Sequence, residues 1–157
     1  MKFFFKLIFV LVLLIPSFVE LNAQDEKQTN KIINLCGARF NVLFKEFANP
    51  IDISPLCTSE NSSEVYIEFK DFSAVIDNKM VVRVIFFPES KNFVYKGITM
   101  TSNSQDIMKK IGKPEKEIER AEGRGYLWEY SLDEIFSNLY FWFDADMKLE
   151  KISVELR

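Results

Sequence analysis

GITMTSNSQDIMKKIGKPEKEIERAEGRGYLWEYSLDEIFSNLYFWFDADMKLEKISVEL, Gly97 to Leu156, is the stretch whose reading decides the fold. Ser102-Asn103-Ser104-Gln105 has the S-x-x-Q form of a capping box, which predicts a helix carrying Ile107, Met108 and Ile111 on its buried side. Gly112 and Pro114 stop that helix. Lys113 to Gly125 is charged and ends in Gly123-Arg124-Gly125, so it reads as a solvated connection. Tyr126–Tyr130, Leu139–Asp144 and Glu150–Leu156 then read as three strands, the last hairpin turning at Asp144-Ala145-Asp146. One helix followed by three strands is the unit that results.

The same order recurs more faintly upstream. Phe40, Leu43, Phe44 and Phe47 fall at helical spacing over 39–47, and Asn49-Pro50 ends the pattern because the residue before proline is driven out of the helical region. Residues 51–63 (IDISPLCTSENSS) read as a surface loop that contains the glycosylation triplet Asn61-Ser62-Ser63. Val65–Lys70, Phe72–Ile76 and Val81–Phe87 follow as strands, with Asp77-Asn78-Lys79 a tight turn. Setting Leu43, Phe44, Phe47 and Pro50 against Ile107, Met108, Ile111 and Pro114 keeps one constant offset, and Glu68 then falls on Glu129. The expected fold is therefore α+β: two tandem α-β-β-β units, 32–90 and 91–157, with helices packed on one face of small antiparallel sheets.

Lys2 and Lys6 precede an apolar run from Leu7 to Ile15, and Leu21-Asn22-Ala23 offers a cleavage site, so residues 1–23 read as a secretory signal peptide. The run is short of the ~20 apolar residues that span a bilayer, so no stable membrane insertion is expected after cleavage. Gln24 to Lys31 reads as a frayed polar leader. Losing Lys2, Lys6 and Glu20 takes the formal net charge from −3 to −4, with signs interspersed, which argues against nucleic acid. The chain has no histidine, which removes Ser-His and Cys-His nucleophile pairs and most metal-hydrolase sites. Neither a catalytic constellation, a metal site nor a cofactor motif is read from the rest. In an exported protein, Cys36 and Cys57 are candidates for one disulfide.

Gly97-Ile98-Thr99-Met100, the capped helix, Ile111-Gly112-Lys113-Pro114, Trp128-Glu129-Tyr130, Phe141-Trp142-Phe143-Asp144 and Leu149-Glu150-Lys151-Ile152 occur in that order. On these residues the C-terminal part resembles the SmpA/OmlA (BamE)-like module and is similar to the β-lactamase-inhibitor-protein (BLIP-like) fold, which carries tandem copies of helices on a small antiparallel sheet. The resemblance implies non-enzymatic binding of other exported or envelope proteins. The chain lacks the lipid-bearing Cys of the lipoprotein members.

Alternation along the strands assigns Val65, Ile67, Phe69, Phe72, Ala74, Ile76, Val84, Phe86, Trp128, Tyr130, Leu139, Phe141, Phe143, Ile152 and Val154 inward. It leaves Tyr66, Val75, Ile85, Phe87, Tyr140 and Trp142 outward, beside Glu68, Arg83, Glu129 and Lys151. So many large apolar groups on a nominally wet face predict a binding surface, with Trp142 and Tyr140 as its energetic centre and Tyr66 as their counterpart in the first half. The expectation is an exported, periplasmic or secreted protein-binding module, either an inhibitor, an immunity-like protein or an envelope accessory. The alternatives are a carrier of a small apolar ligand between the halves and, further behind, a carboxylate-based hydrolase. Asp77, Asp144 and Asp146 read as turn residues rather than a carboxylate site.

Overall fold

The computed structural model describes residues 23–55 and 64–157. The signal peptide, Cys57 and the Asn61 triplet lie outside those residues, apart from Ala23 at the end of the first. The described chain runs α1 (23–33), α2 (Phe40–Glu46), β1 (Asp52–Pro55), β2 (Val65–Glu68), β3 (Ser73–Asp77), β4 (Met80–Phe86), α3 (Ser104–Ile111), β5 (Lys116–Glu119), β6 (Tyr126–Leu132), β7 (Ser137–Phe143) and β8 (Leu149–Leu156).

All eight strands belong to a single antiparallel sheet in the order β1-β2-β3-β4-β8-β7-β6-β5. This corrects the expectation of two α-β-β-β units with small sheets of their own. Two hairpin-connected meanders meet where β4 pairs with β8, Arg83 opposite Glu155, Val84 opposite Val154, Ile85 opposite Ser153 and Phe86 opposite Ile152. Edge strands expose unpaired backbone groups, and joining the last strand of each meander removes two such edges. It also makes one core of what the sequence divides into two. The buried side chains of both meanders, from Ile67, Ala74 and Val84 to Phe141, Ile152 and Val154, form one cluster with Ile32, Leu43 and Ile107 of the three helices.

Each outermost strand lies where the sequence reads as loop. β1 falls in the Pro- and Ser-rich stretch after Ile51, and its Pro55 is tolerated because an edge strand has no second neighbour requiring that N–H. β5 falls in the charged connection, and all four of its residues are exposed. Charged edges of this kind discourage pairing with other chains.

The expected polar leader is also corrected. Residues 23–33 are helical, and Thr29, Ile32 and Ile33 are buried against the inner face. Thr29 holds the helix there, its hydroxyl accepting from the N–H of Val94 at 3.0 Å. Only three inward positions on one stripe were needed, too few to register as periodicity. At α3 the cap is Asn103, not Ser102: its side chain accepts from the N–H of Asp106 at 2.9 Å. Ser102 instead accepts from the N–H of Thr99 in the preceding turn. Residues 93–100 form turns around a single Tyr95–Ile98 bridge.

Cys36 is buried, its thiol 3.6 Å from both the Val82 and the Val154 carbonyls beside the β4–β8 seam. Burial raises its pKa. No disulfide is found among the described residues.

Gly125 immediately precedes β6 with φ +116°, and a Cβ there would meet the Phe143 carbonyl oxygen at 2.1 Å. At Gly123, φ +67°, nothing lies within 4 Å. Gly125→Ala should therefore cost about 2–3 kcal/mol and Gly123→Ala only about 1–2 kcal/mol, measured by urea unfolding. Equal costs would show that β6 does not approach β7 this closely.

Candidate functional site

The sheet has an inner face under the helices and an outer face without them. Every residue assigned inward by alternation is buried, except Val65, which is half-buried. The outer face departs from its expected form. Val75 is 2% and Ile85 8% exposed, and Tyr66, Phe87, Tyr140 and Trp142 are all half-buried. Register explains it: Val75 lies between Tyr66 and Arg83, whose long side chains cover their shorter neighbour. The outer face is a layer of aromatic and charged side chains over small buried ones, not an exposed apolar patch.

Six of the nine expected binding residues come together there. Arg83, Ile85, Glu129, Tyr140, Trp142 and Lys151 line a concavity of about 290 Å³ that crosses the β4–β8 seam. Tyr66 and Glu68 lie on β2, away from it, the Tyr66 hydroxyl donating to Ser73 Oγ at 2.7 Å. Phe87 lies just beyond β4, where its N–H donates to Ser90 Oγ at 3.1 Å. The concavity also takes in Ile118, Leu127, Ser153 and Glu155, which sequence reading passed over. Leu127, Ser153 and Glu155 follow from the same alternation once strand boundaries are known. Ile118 carries no signal, being one apolar residue among charges.

Cross-strand pairing sets the contacts. Trp142 stands opposite Lys151 on β8, and the Lys151 ammonium lies 4.0 Å from the indole centroid. The Arg120 guanidinium lies 5.5 Å from the same ring. The indole N–H donates to Ser153 Oγ at 3.0 Å, and that hydroxyl donates to Glu155 Oε1 at 3.0 Å. Glu155 also takes Arg83, whose Nη2 donates at 3.2 Å. Arg83 Nε lies 3.0 Å from Glu155 Oε1 but is not aligned for a hydrogen bond, and it is buried without another acceptor. Glu129, 7% exposed, accepts from Lys116 at 2.8 Å and from Asn138 at 3.3 Å. The same Asn138 amide donates to the Tyr140 hydroxyl at 3.1 Å.

The charges of this face can be counted off pair by pair. Arg83 is matched by Glu155, Lys116 by Glu129 and Arg120 by Glu150. Lys151 is left: among the described residues no carboxylate lies within 4.0 Å of its ammonium. Its pKa is lowered, first by desolvation and then by repulsion from Arg83 and Arg120. A desolvated cation lying on an indole without a carboxylate partner is complementary in charge to an anionic group.

Asp144 keeps to turn chemistry, its Oδ1 accepting from the N–H groups of Asp146 and Lys148 at 3.0 and 2.8 Å. No cluster of three or more metal-ligating side chains occurs among the described residues.

No protein-family model matches the sequence, and no curated protein matches it. Solved structures to which the chain is similar include two. A cysteine-rich secretory protein of Staphylococcus aureus superposes with a TM-score of 0.51 at 13% identity, over 78% of this chain and 45% of that one. A DUF4309 family protein (YjgB) of Bacillus subtilis superposes at 0.49 with 9% identity, over 76% of this chain and 78% of that one. At such identity the likeness concerns the fold alone. Neither description names a SmpA/OmlA-like or BLIP-like protein.

A lysine whose pKa is lowered by folding disfavours the folded state while it is charged, and that cost is relieved as pH rises through its folded value. Lys151→Met keeps the stem on Trp142 and removes the charge, so its urea midpoint at neutral pH should equal or exceed the wild-type value. A lower midpoint would mean that the ammonium is stabilised by its surroundings and is not awaiting a partner.

Proposed function

We propose that this protein is an exported, non-enzymatic binding module whose concave outer sheet face captures another exported or envelope protein through an acidic side chain set among apolar ones. The observation that carries the reading is the unmatched charge of Lys151 among three neutralised ion pairs. An incoming carboxylate would neutralise it, while Trp142, Tyr140, Leu127 and Ile118 offer contact area around it. Trp, Tyr and Arg are the residue types that dominate measured binding energies. Export rests on the basic start, short apolar run and small-residue cleavage site of residues 1–23, and a Cys36–Cys57 bridge belongs to the same proposal.

The hydrolase reading has less support. The two carboxylates that line the concavity, Glu129 and Glu155, are each engaged by a basic side chain and a second donor. That arrangement leaves both carboxylates occupied by donors rather than free to meet a substrate.

The test is capture from the native envelope or secreted fraction, with wild type and two variants run in parallel. Trp142→Ala should weaken capture by ~2–4 kcal/mol, the range of a central hot-spot tryptophan. Because the ring is half-buried with one hydrogen bond, the same substitution should lower Tm by only a few degrees. Lys151→Glu should abolish capture, and wild-type capture should weaken with added salt. Capture that tolerates both substitutions would move the binding surface elsewhere.

A further inference from the structure

The inner face carries a second surface. An eight-stranded sheet is about 34 Å wide at ~4.8 Å per strand, whereas the seven residues of α2 extend only about 10 Å. Beside this short helix lies a trough of about 460 Å³. Ile53, Val65, Ile67 and Ile76 form its floor, aligned by the β1–β2–β3 register, and Phe40 and Phe44 of α2 form its wall. Ile53 is 53% and Phe40 40% exposed, so a band of apolar surface meets water here. The volume falls within the ~300–1,000 Å³ usual for small-molecule sites.

One end of the trough is cationic. It opens at Asn78 and Lys79 into a second hollow that also takes in Arg39 and Asn41. Neither Arg39 nor Lys79 has an ion-pair or side-chain hydrogen-bond partner among the described residues. The backbone carrying these two side chains is fixed before any ligand arrives. The Phe40 N–H donates to the Lys79 carbonyl at 2.9 Å, Val81 N–H to Ala38 at 2.8 Å, and Gly37 N–H to Val81 at 2.7 Å. An apolar floor and wall with two unmatched cations at one end are complementary to one kind of molecule.

We propose that this trough binds a free single-chain amphiphile, an alkyl or acyl chain with one anionic head, the chain lying between α2 and the β1–β3 floor and the head between Arg39 and Lys79. The site is on the opposite face of the sheet from the Lys151 concavity, so the two are independent. It also differs from a carrier site between the halves, because every residue that forms it precedes Val82.

The test is isothermal titration of the protein as the cell processes it with sodium dodecanoate below its micelle concentration. Saturable micromolar binding of one equivalent is expected. Ile53→Glu should abolish it, since the substitution places a charge on the floor at an exposed position that folding does not need. Lys79→Glu should weaken it roughly fivefold or more, a small effect because the pair is exposed to water. Dodecyltrimethylammonium, equal in chain and opposite in head, should bind at least roughly fivefold more weakly than dodecanoate. Absence of dodecanoate binding would overturn the proposal, as would binding that tolerates Ile53→Glu or equal affinity for the cationic probe. Self-association abolished by Ile53→Glu, or binding to phosphatidylglycerol vesicles without binding of monomeric dodecanoate, would assign the trough to a second copy of the chain or to a membrane surface instead.

Discussion

The pairing of β4 with β8 is the constraint on which the rest of the molecule depends. Val84 and Val154 face each other across it and are fully buried, so the seam runs through the centre of the core and not along a surface between two lobes. A single meander of four strands has one buried face and two open edges, and on its own it would bury a smaller share of its apolar surface. Joined at the seam, the two meanders share one inner face wide enough to need all three helices. The pairing also creates the outer concavity, because Arg83 and Ile85 come from one meander and Lys151, Trp142 and Tyr140 from the other.

Strand alternation was legible because burial on the inner face is nearly complete, and a period of two survives wherever one face is dry. The three elements missed share a different physics. β1 and β5 are edge strands, where protection from aggregation favours Pro, Lys and Glu, the residues that in a sequence mark loops. α1 is held mainly by Thr29, Ile32 and Ile33 on an otherwise polar turn-and-a-half, and tertiary packing rather than amphipathic pattern stabilises it. What sequence could not supply was the joint itself: two sheets and one sheet need the same alternating residues, and only the partner of β4 distinguishes them.

The outer face shows the same limit at the level of side chains. Alternation says on which side of a sheet a residue lies, not how deep. Ile85 was rightly placed outward and yet is buried, since its neighbour across the seam is Ser153, small enough for longer side chains on either side to close over both. Composition alone made this an apolar patch. Register makes it a lined hollow in which the aromatic rings are partly covered and charges are paired.

One irregularity in the ladder places the charges that matter. By strict alternation from Ile152, Glu150 would point inward and Leu149 outward. The register shift between Trp142 and Phe143 sets Trp142 opposite Lys151 and Phe143 opposite Leu149, so Glu150 is the residue left over. Leu149 is thereby buried under Phe143, and Glu150 stands exposed where it meets Arg120. A buried unpaired carboxylate would cost several kcal/mol, which is sufficient reason for the bulge. Its second effect falls on function: with Glu150 drawn to Arg120 and Glu155 to Arg83, no carboxylate among the described residues pairs directly with Lys151. The surplus positive charge on the concave face is thus a consequence of how this hairpin keeps a charge out of its core.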